Sequence, residues 1–170
     1  GNQQLQPGQE GFAVLLQAIG RALGLDDPAL DHPGDPNEVA WVGQYAELDT
    51  GKYSIMASVS EPNTPAFAST PQMADILAIQ YIYGRNMNTR TGDDVYQFSA
   101  NGQVNMTIWD AGGIDTFDLS NQVADMRIEL WGASHSQIFL QDGTVGLIGI
   151  DMETHIENAI GGSGNDIVYG

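Results

Sequence analysis

A nine-residue pattern at residues 161–170 limits the fold of this chain more than any other feature of its sequence. The segment is GGSGNDIVYG, which fits the Gly-Gly-x-Gly-x-Asp-x-apolar-x repeat that winds calcium-binding parallel β-rolls. In such a repeat the glycines allow a tight turn whose carbonyls face an ion, the aspartate adds charge, and the apolar residue points into the roll. A glycine-rich turn before an edge strand is the alternative interpretation of one copy.

The rest of the sequence after about residue 90 consists of short apolar runs separated by Gly, Asp and Asn. These runs are DVYQF, VNMTIW, DTFDL, MRIEL, SQIFL, VGLIGI and HIENAI. Short runs with this punctuation are typical of all-β domains. The sequence therefore predicts a β-roll or β-sandwich over this part of the chain.

The first ninety residues carry two helical patterns instead. Apolar residues in GFAVLLQAIGRALGL recur at helical spacing and predict a helix over residues 11–24. The segment TPQMADILAIQYIYG predicts a second helix over 71–84, with Thr70 as its N-cap and Gly84 as its end. Between them, YSIMASVSE at 53–61 reads as a short apolar turn or strand.

The two patterns meet near residue 90 and divide the chain. We expect a helical part over residues 1–89 and a strand-rich part over residues 90–170, which together give an α+β fold class. The junction between them is compatible with one packed unit.

The charge balance excludes some partners and favours others. Twenty-two acidic and five basic residues give a net charge of −17, so the chain repels nucleic acid and anionic membranes. The same charge attracts hard cations, which prefer oxygen ligands. The alternative is that the negative charge only keeps the protein soluble. The absence of cysteine rules out disulfides and thiolate metal sites. No apolar run reaches about 18 residues, so we expect no membrane insertion.

The order of these motifs resembles the second half of a serralysin, a secreted bacterial zinc protease of the metzincin group. The resemblance is carried by DILAIQYIYGRNMNTRTGDDVYQF, TIWDAGGIDTFDLS and HIENAIGGSGNDIVYG. Metzincins also carry H-E-x-x-H-x-x-G-x-x-H on the active helix. The segment QAIGRALGLDD fits that frame, with Gly24 at the motif glycine. The resemblance implies a bacterial extracellular protein.

The same resemblance implies that this helix has lost the side chains that bind zinc and activate water. Gln17 and Arg21 stand where two zinc histidines belong, and Ala18 replaces the general-base glutamate. Counting along the frame puts Asp27 at the third ligand. We favour His32, displaced by five inserted residues, because it keeps its Pro-Gly neighbours. A guanidinium opposes a bound cation and alanine cannot accept a proton, so we expect no zinc and no proteolysis.

The segment 53–61 resembles the Met-turn of these proteases, with Met56 as its methionine. Met56 is most simply a core residue beneath the former active helix. Ser58 stands where the family usually has a tyrosine near the zinc. The front half of such a protease would lie upstream of residue 1, either in a longer chain or in another polypeptide.

The resemblance further implies calcium sites. The ligands of the first site would be Arg90, Gly92, Asp94, Asp110, Gly112 and Asp115. Those of the second would be Gly113, Asp115, the carbonyl of His155, and Glu157. Half of a third site would consist of Gly162, Gly164 and Asp166. Considered without the family, WDAGGID fits either a calcium loop or a solvated turn, and the nearby TGDD and GGSGND favour calcium.

The sequence thus predicts a catalytically inactive, serralysin-like calcium-binding module with a structural or interaction role outside the cell. One alternative is the rear half of a zinc metalloprotease completed by another segment. Another is an adhesion or partner-binding domain that uses the vacant cleft, with a protein partner that the sequence does not name.

Overall fold

The computed structural model of the protein describes residues 5–28, 49–59 and 61–170. Within these ranges two helices precede eight strands, which confirms the predicted α+β class. The helices are α1 (Glu10–Ala22) and α2 (Met73–Tyr83). The strands are β1 (Val95–Gln97), β2 (Asn105–Ile108), β3 (Thr116–Asp118), β4 (Asp125–Glu129), β5 (Ser134–Phe139), β6 (Val145–Ile150), β7 (Asn158–Ile160) and β8 (Asp166–Tyr169).

Helix α1 occupies almost the predicted range. It begins one residue earlier than expected and ends at Ala22, and Leu23 is its C-cap. Gly24 follows with a φ of +94°, a conformation that suits glycine at a helix end. The predicted stop is therefore confirmed.

Helix α2 begins two residues later than predicted, and Thr70 is not its N-cap. The N-cap is Gln72, whose backbone N–H donates to Asp75 Oδ2 at 2.7 Å. The hydroxyl of Thr70 instead accepts the backbone N–H of Thr107 in β2 at 2.8 Å. Local sequence preference predicted that the Thr70 side chain caps the helix, but this side chain bonds to the sheet instead. Gly84, with a φ of +82°, ends the helix as predicted.

The strands form a roll of three coils interrupted by a hairpin. One sheet has the order β1-β3-β7 and the other the order β2-β6-β5-β4-β8. Each coil crosses from the first sheet to the second, as β1 to β2, β3 to β4, and β7 to β8. The antiparallel hairpin β5–β6 separates β2 from β4 in the second sheet. Each of the seven short apolar runs of the sequence overlaps a strand.

The main core lies between these two sheets. Phe117, Ile128, Ile148 and Ile150 are fully buried there. The rings of Tyr96 and Phe98 each meet Phe117 edge-on, with centroids 6.0 and 5.8 Å away. Burial of each such large apolar side chain contributes about 1.5–3 kcal/mol, so this core dominates the stability of the β-rich part.

The repeat at 161–170 departs from its expected packing at one position. Val168, which occupies the apolar position of the pattern, is 50% exposed. It belongs to β8, which pairs only with β4 among the described strands and forms the edge of its sheet. The edge position explains the exposure.

The helical part packs on the roll through backbone hydrogen bonds. Ser69 N–H donates to the carbonyl of Asn105, and Val145 N–H donates to the carbonyl of Asn63. A small second core of Ile55, Met56 and Ala68 lies on the helical side. The predicted boundary between residues 89 and 90 stays a prediction. Neither described helix is long and apolar enough to span a bilayer.

Candidate functional site

The parallel register of the first sheet brings acidic residues of separate loops together. Val95 pairs with Thr116, and Thr116 pairs with Asn158. The residues that precede these strands, Asp94 and Asp115, therefore lie side by side at one edge of the sheet. Asp94 N–H donates to Asp115 Oδ1 at 2.9 Å.

Asp110 completes a group of three carboxylates. It follows β2 and lies in the turn that leads into β3. One oxygen each of Asp94, Asp110 and Asp115 lies within 4.8 Å of the other two, and Asp110 and Asp115 are buried. In the described part of the chain this is the one such group of three potential metal-binding side chains. Oxygens that share a Ca²⁺ at 2.3–2.6 Å are at most ~5 Å apart, so the spacing fits one calcium ion.

The electrostatics of this cluster are unfavourable without a cation. Burial raises the pKa of the Asp115 carboxyl, and the negative charges of Asp110, Glu157 and Asp94 raise it further. A hydrogen bond from the backbone of Asp94 only partly offsets this. A divalent ion among these groups would offset the negative charges around Asp115 and favour its charged form.

Two residues that sequence reasoning missed hold Asp110 in place. The Tyr96 hydroxyl donates to Asp110 Oδ2, and burial, together with this bond, raises the pKa of the Tyr96 phenol. Thr154 Oγ1 accepts the Asp110 N–H at 2.9 Å and donates to the Asp110 carbonyl at 3.0 Å. Thr154 is 44 positions away in sequence, so no local pattern could have linked the two residues.

The other predicted ligands of the first site lie on the same two loops. Arg90 has a φ of +50°, and its guanidinium sits 5.0 Å from the centroid of the Tyr96 ring. A Cβ added to Gly113 would lie 2.1 Å from the Gly92 carbonyl oxygen, so glycine at 113 is what allows the two loops to approach so closely. Gly112 N–H donates to Asp110 Oδ1 at 2.9 Å. That the carbonyls of Arg90, Gly92 and Gly112 bind an ion stays a prediction.

The second predicted site is contiguous with the first. Asp115 N–H donates to Glu157 Oε2 at 2.7 Å, which places that carboxylate beside Asp115. Glu157 N–H donates in return to the Asp115 carbonyl at 3.2 Å. The His155 ring meets Trp131 edge-on with centroids 5.8 Å apart. The structure thus brings Asp115 and Glu157 together, and the ligand role of the His155 carbonyl and of Gly113 stays a prediction.

The third, partial site stacks on the preceding coil. A Cβ added to Gly162 would lie 2.3 Å from the Gln122 carbonyl oxygen, and one added to Gly164 would lie 2.4 Å from that of Ala124. These glycines are therefore required for the stacking of the turns, independently of any ion. Asp166 Oδ2 accepts the Gly162 N–H at 2.8 Å, and its Oδ1 is buried without a hydrogen-bond partner among the described residues.

Helix α1 packs on the Met-turn-like segment. A Cβ added to Gly20 would lie 2.9 Å from Met56 Sδ, and Met56 is buried as predicted. Gln17 Nε2 donates to the carbonyl of Ile55 at 2.8 Å, so its amide faces the protein. Ala18 and Arg21 are exposed.

The side chains of Gln17, Ala18 and Arg21 are poorly suited to bind zinc. Zinc needs a nitrogen lone pair or a carboxylate, and the zinc-bound water needs a base. The Gln17 amide, the Ala18 methyl group and the Arg21 guanidinium offer neither. His32, the predicted displaced ligand, lies outside the described residues. At the Met-turn, Ser58 is bound to a carboxylate: its N–H and hydroxyl donate to the two oxygens of Asp49 at 2.7 and 2.8 Å.

Comparison with known proteins gives a consistent result. The sequence profile of the peptidase M10 serralysin C-terminal family matches residues 82–170. Serralysin C of Dickeya chrysanthemi is 41% identical over 93% of this chain. Metalloprotease AprA of Pseudomonas entomophila (strain L48) is 38% identical over 96% of it. Serralysin of Proteus mirabilis is 37% identical over the whole chain.

These alignments extend across the helical part as well as the roll. They cover 36–37% of the length of the three relatives, so the chain spans a little over a third of each. The resemblance inferred from the motifs is thereby confirmed.

Proposed function

Because this chain belongs to the peptidase M10 serralysin C-terminal family, we propose that it is a calcium-binding module without zinc-protease activity. Its role would be structural or interactive, and its location extracellular and bacterial. The observation that supports this proposal most directly is the cluster of Asp94, Asp110 and Asp115, whose oxygens have the mutual spacing of ligands to one ion.

The residues that would hold the ion fit a hard cation. Calcium takes six to eight oxygens from carboxylates and carbonyls, and the loops at 90–94 and 110–115 offer both kinds. The bound ion would supply positive charge between carboxylates that repel one another. Its binding would therefore stabilise the folded state and join the two loops.

A calcium titration followed by thermal unfolding tests this proposal. At a calcium concentration of about 100 times Kd, binding adds about 2.7 kcal/mol to stability. For a domain of this size each kcal/mol raises Tm by about 2–4 °C, so we expect a rise of about 5–10 °C. Magnesium at the same concentration should give a much smaller shift. An unchanged Tm in millimolar calcium would refute calcium binding.

A pair of matched substitutions locates the ion. Asp110→Asn removes one charge from the cluster and should abolish most of the calcium-dependent shift. Asp142→Asn is the control, because Asp142 is exposed in the β5–β6 turn, at the opposite end of the sheet, and accepts hydrogen bonds from Thr144. Equal shifts in both variants would show that calcium binds elsewhere.

The proposed lack of proteolysis depends on Gln17, Ala18 and Arg21. We expect no zinc uptake by calorimetry and no casein cleavage in the presence of zinc. The substitutions Gln17→His, Ala18→Glu and Arg21→His, made together, should restore measurable zinc binding. Zinc uptake by the unmodified chain at a site that includes the residue 17–21 face would contradict the proposal.

The names of the relatives support one alternative, namely that the chain is the rear half of a secreted zinc metalloprotease. In that case it would contribute to an active enzyme completed by another segment. Casein cleavage by this chain mixed with the N-terminal half of a serralysin, absent with either part alone, would favour that alternative. We propose no nucleic-acid partner, and a protein partner would be sought by pull-down from culture supernatant.

A further inference from the structure

Tyr96 contacts both loops of the proposed calcium site. It lies on β1, two residues after Asp94, and its side chain is buried. Its hydroxyl donates a hydrogen bond to Oδ2 of Asp110, which lies in the turn after β2. Its ring lies 5.0 Å from the Arg90 guanidinium. A single side chain thus connects the loop of residues 90–94 with the turn that carries Asp110.

The residue that contacts the Tyr96 ring, Arg90, has an unusual backbone conformation. Arg90 has a φ of +50°, in a region that residues other than glycine, asparagine and aspartate rarely occupy. The attraction between its guanidinium and the face of the Tyr96 ring holds the end of this side chain in place. That conformation also sets the direction of the Arg90 carbonyl, which is one of the predicted calcium ligands.

The contact with Asp110 fixes the carboxylate without blocking it. Asp110 Oδ1 accepts the N–H of Gly112 at 2.9 Å, and Oδ2 accepts the Tyr96 hydroxyl. Each carboxylate oxygen has two acceptor positions, so one position on each remains for a cation. The carboxylate is therefore already oriented before an ion arrives.

We infer that Tyr96 is a positioning residue of the calcium site, which orients Asp110 through its hydroxyl and the Arg90 loop through its ring. This inference rests on the proposed calcium-binding function and adds a residue that is not itself a ligand. Hydrogen-bond partners of metal ligands typically contribute 10–100-fold to metal affinity.

The test is Tyr96→Phe, which removes only the hydroxyl and keeps the ring over Arg90. Its matched control is Tyr81→Phe, the same change at a tyrosine that is 91% exposed on α2. Calorimetric titration with calcium, on samples shown to be folded by circular dichroism, gives Kd. We expect at least about tenfold weaker binding in Tyr96→Phe and an unchanged Kd in Tyr81→Phe.

A second measurement separates positioning from a general effect on folding. Calcium binding should change the near-ultraviolet absorbance of Tyr96, whose hydroxyl touches a ligand. The calcium-induced tyrosine difference spectrum should therefore be lost in Tyr96→Phe and kept in Tyr81→Phe. Arg90→Leu, which keeps the backbone carbonyl, should weaken binding by a smaller factor and is the variant to use if Tyr96→Phe does not fold.

The outcomes distinguish this inference from the proposed function. No calcium uptake by the unmodified chain, or an unchanged Kd in Asp110→Asn, would remove the site and the inference together. Loss of binding in Asp110→Asn with an unchanged Kd in both Tyr96→Phe and Arg90→Leu would overturn the positioning role alone.

Discussion

Helix α1 and the acidic loops are both closely packed, but only the loops carry side chains that suit a metal ion. In the helix, Gly20 packs on Met56, whereas Gln17, Ala18 and Arg21 carry an amide, a methyl group and a guanidinium. In the loops at 90–94 and 110–115, both the close backbone approach and the carboxylates are present. The packing of a frame depends on the size of its side chains and the bonding of a metal depends on their donor atoms. A helix can therefore keep its packing without keeping side chains that bind a metal.

The largest effect should come from breaking the approach of the two loops. In Gly113→Ala the new Cβ would lie 2.1 Å from the Gly92 carbonyl oxygen, at a φ of +153°. Strain and steric overlap together should cost about 4 kcal/mol of unfolding free energy, measured by urea denaturation. Calcium affinity should fall as well.

The matched control is Gly143→Ala in the β5–β6 turn. Gly143 also has a positive φ, +85°, but a Cβ there meets no atom within 4 Å. It should lose only about 1 kcal/mol, because the conformational strain remains without the overlap. Equal losses at the two positions would show that the loops do not need this approach.

A smaller effect should come from acid, which in calcium-free protein acts with opposite sign on His135 in β5 and on Asp115 in the acidic loops. His135 supports the residues that lead into the Met-turn-like segment: its ring packs edge-on against Tyr53, and Nε2 lies 3.3 Å from the Lys52 carbonyl oxygen. Burial, followed by the Lys52 charge, lowers the pKa of His135 to about 4. Below pH 6.5 the unfolded chain therefore binds more protons at His135 than the folded chain does. The contribution of neutral His135 to the free energy of unfolding is complete above pH 6.5.

As the pH falls from 6.5 toward 4, we expect His135 to lose about 3 kcal/mol of its contribution to unfolding free energy. Denaturation in EDTA at several pH values measures this loss. His135→Gln should flatten the profile in this window, and His155→Gln, at an exposed position, should not. The pKa of Asp115 is raised, so protonation there stabilises the calcium-free fold. A profile that is equally steep in both variants would exclude His135.

The smallest effect should come from the helix. Gln17→Ala removes the hydrogen bond to the Ile55 carbonyl and should cost about 1 kcal/mol, with no change in calcium affinity. Gln141→Ala, at an exposed position, is the control for thermal melts. A change in calcium affinity in Gln17→Ala would mean that the helix and the loops are coupled and would contradict this prediction.

Local pattern was sufficient for the elements and for part of the site. Short apolar runs separated by Gly and Asp predicted the strands, because alternation and turn residues are local properties. The family resemblance pointed to Asp94, Asp110 and Asp115, and the parallel register brings these three residues together, while their role as ligands stays a prediction. Each of these residues lies just before or after a predicted strand.

What the sequence did not reveal depends on contacts between distant segments. Thr70 has good N-cap chemistry, but β2 competes for its hydroxyl, and Gln72 takes the cap. Tyr96 reads as an ordinary strand residue, and its hydroxyl finds Asp110 only when the turn after β2 folds back. Val168 is exposed because β8 is at an edge, which no local pattern specifies.

The hairpin β5–β6 has a consequence for the order of folding. Its closing pair, Phe139 and Val145, is separated by a short turn, whereas Val95 must find Thr116 and Met126 must find Asp166 far along the chain. Local pairings cost less loop entropy and form earlier. We therefore expect the hairpin to form before the acidic loops meet. We expect calcium to act after the rate-limiting step, slowing the unfolding rate while leaving the refolding rate nearly unchanged.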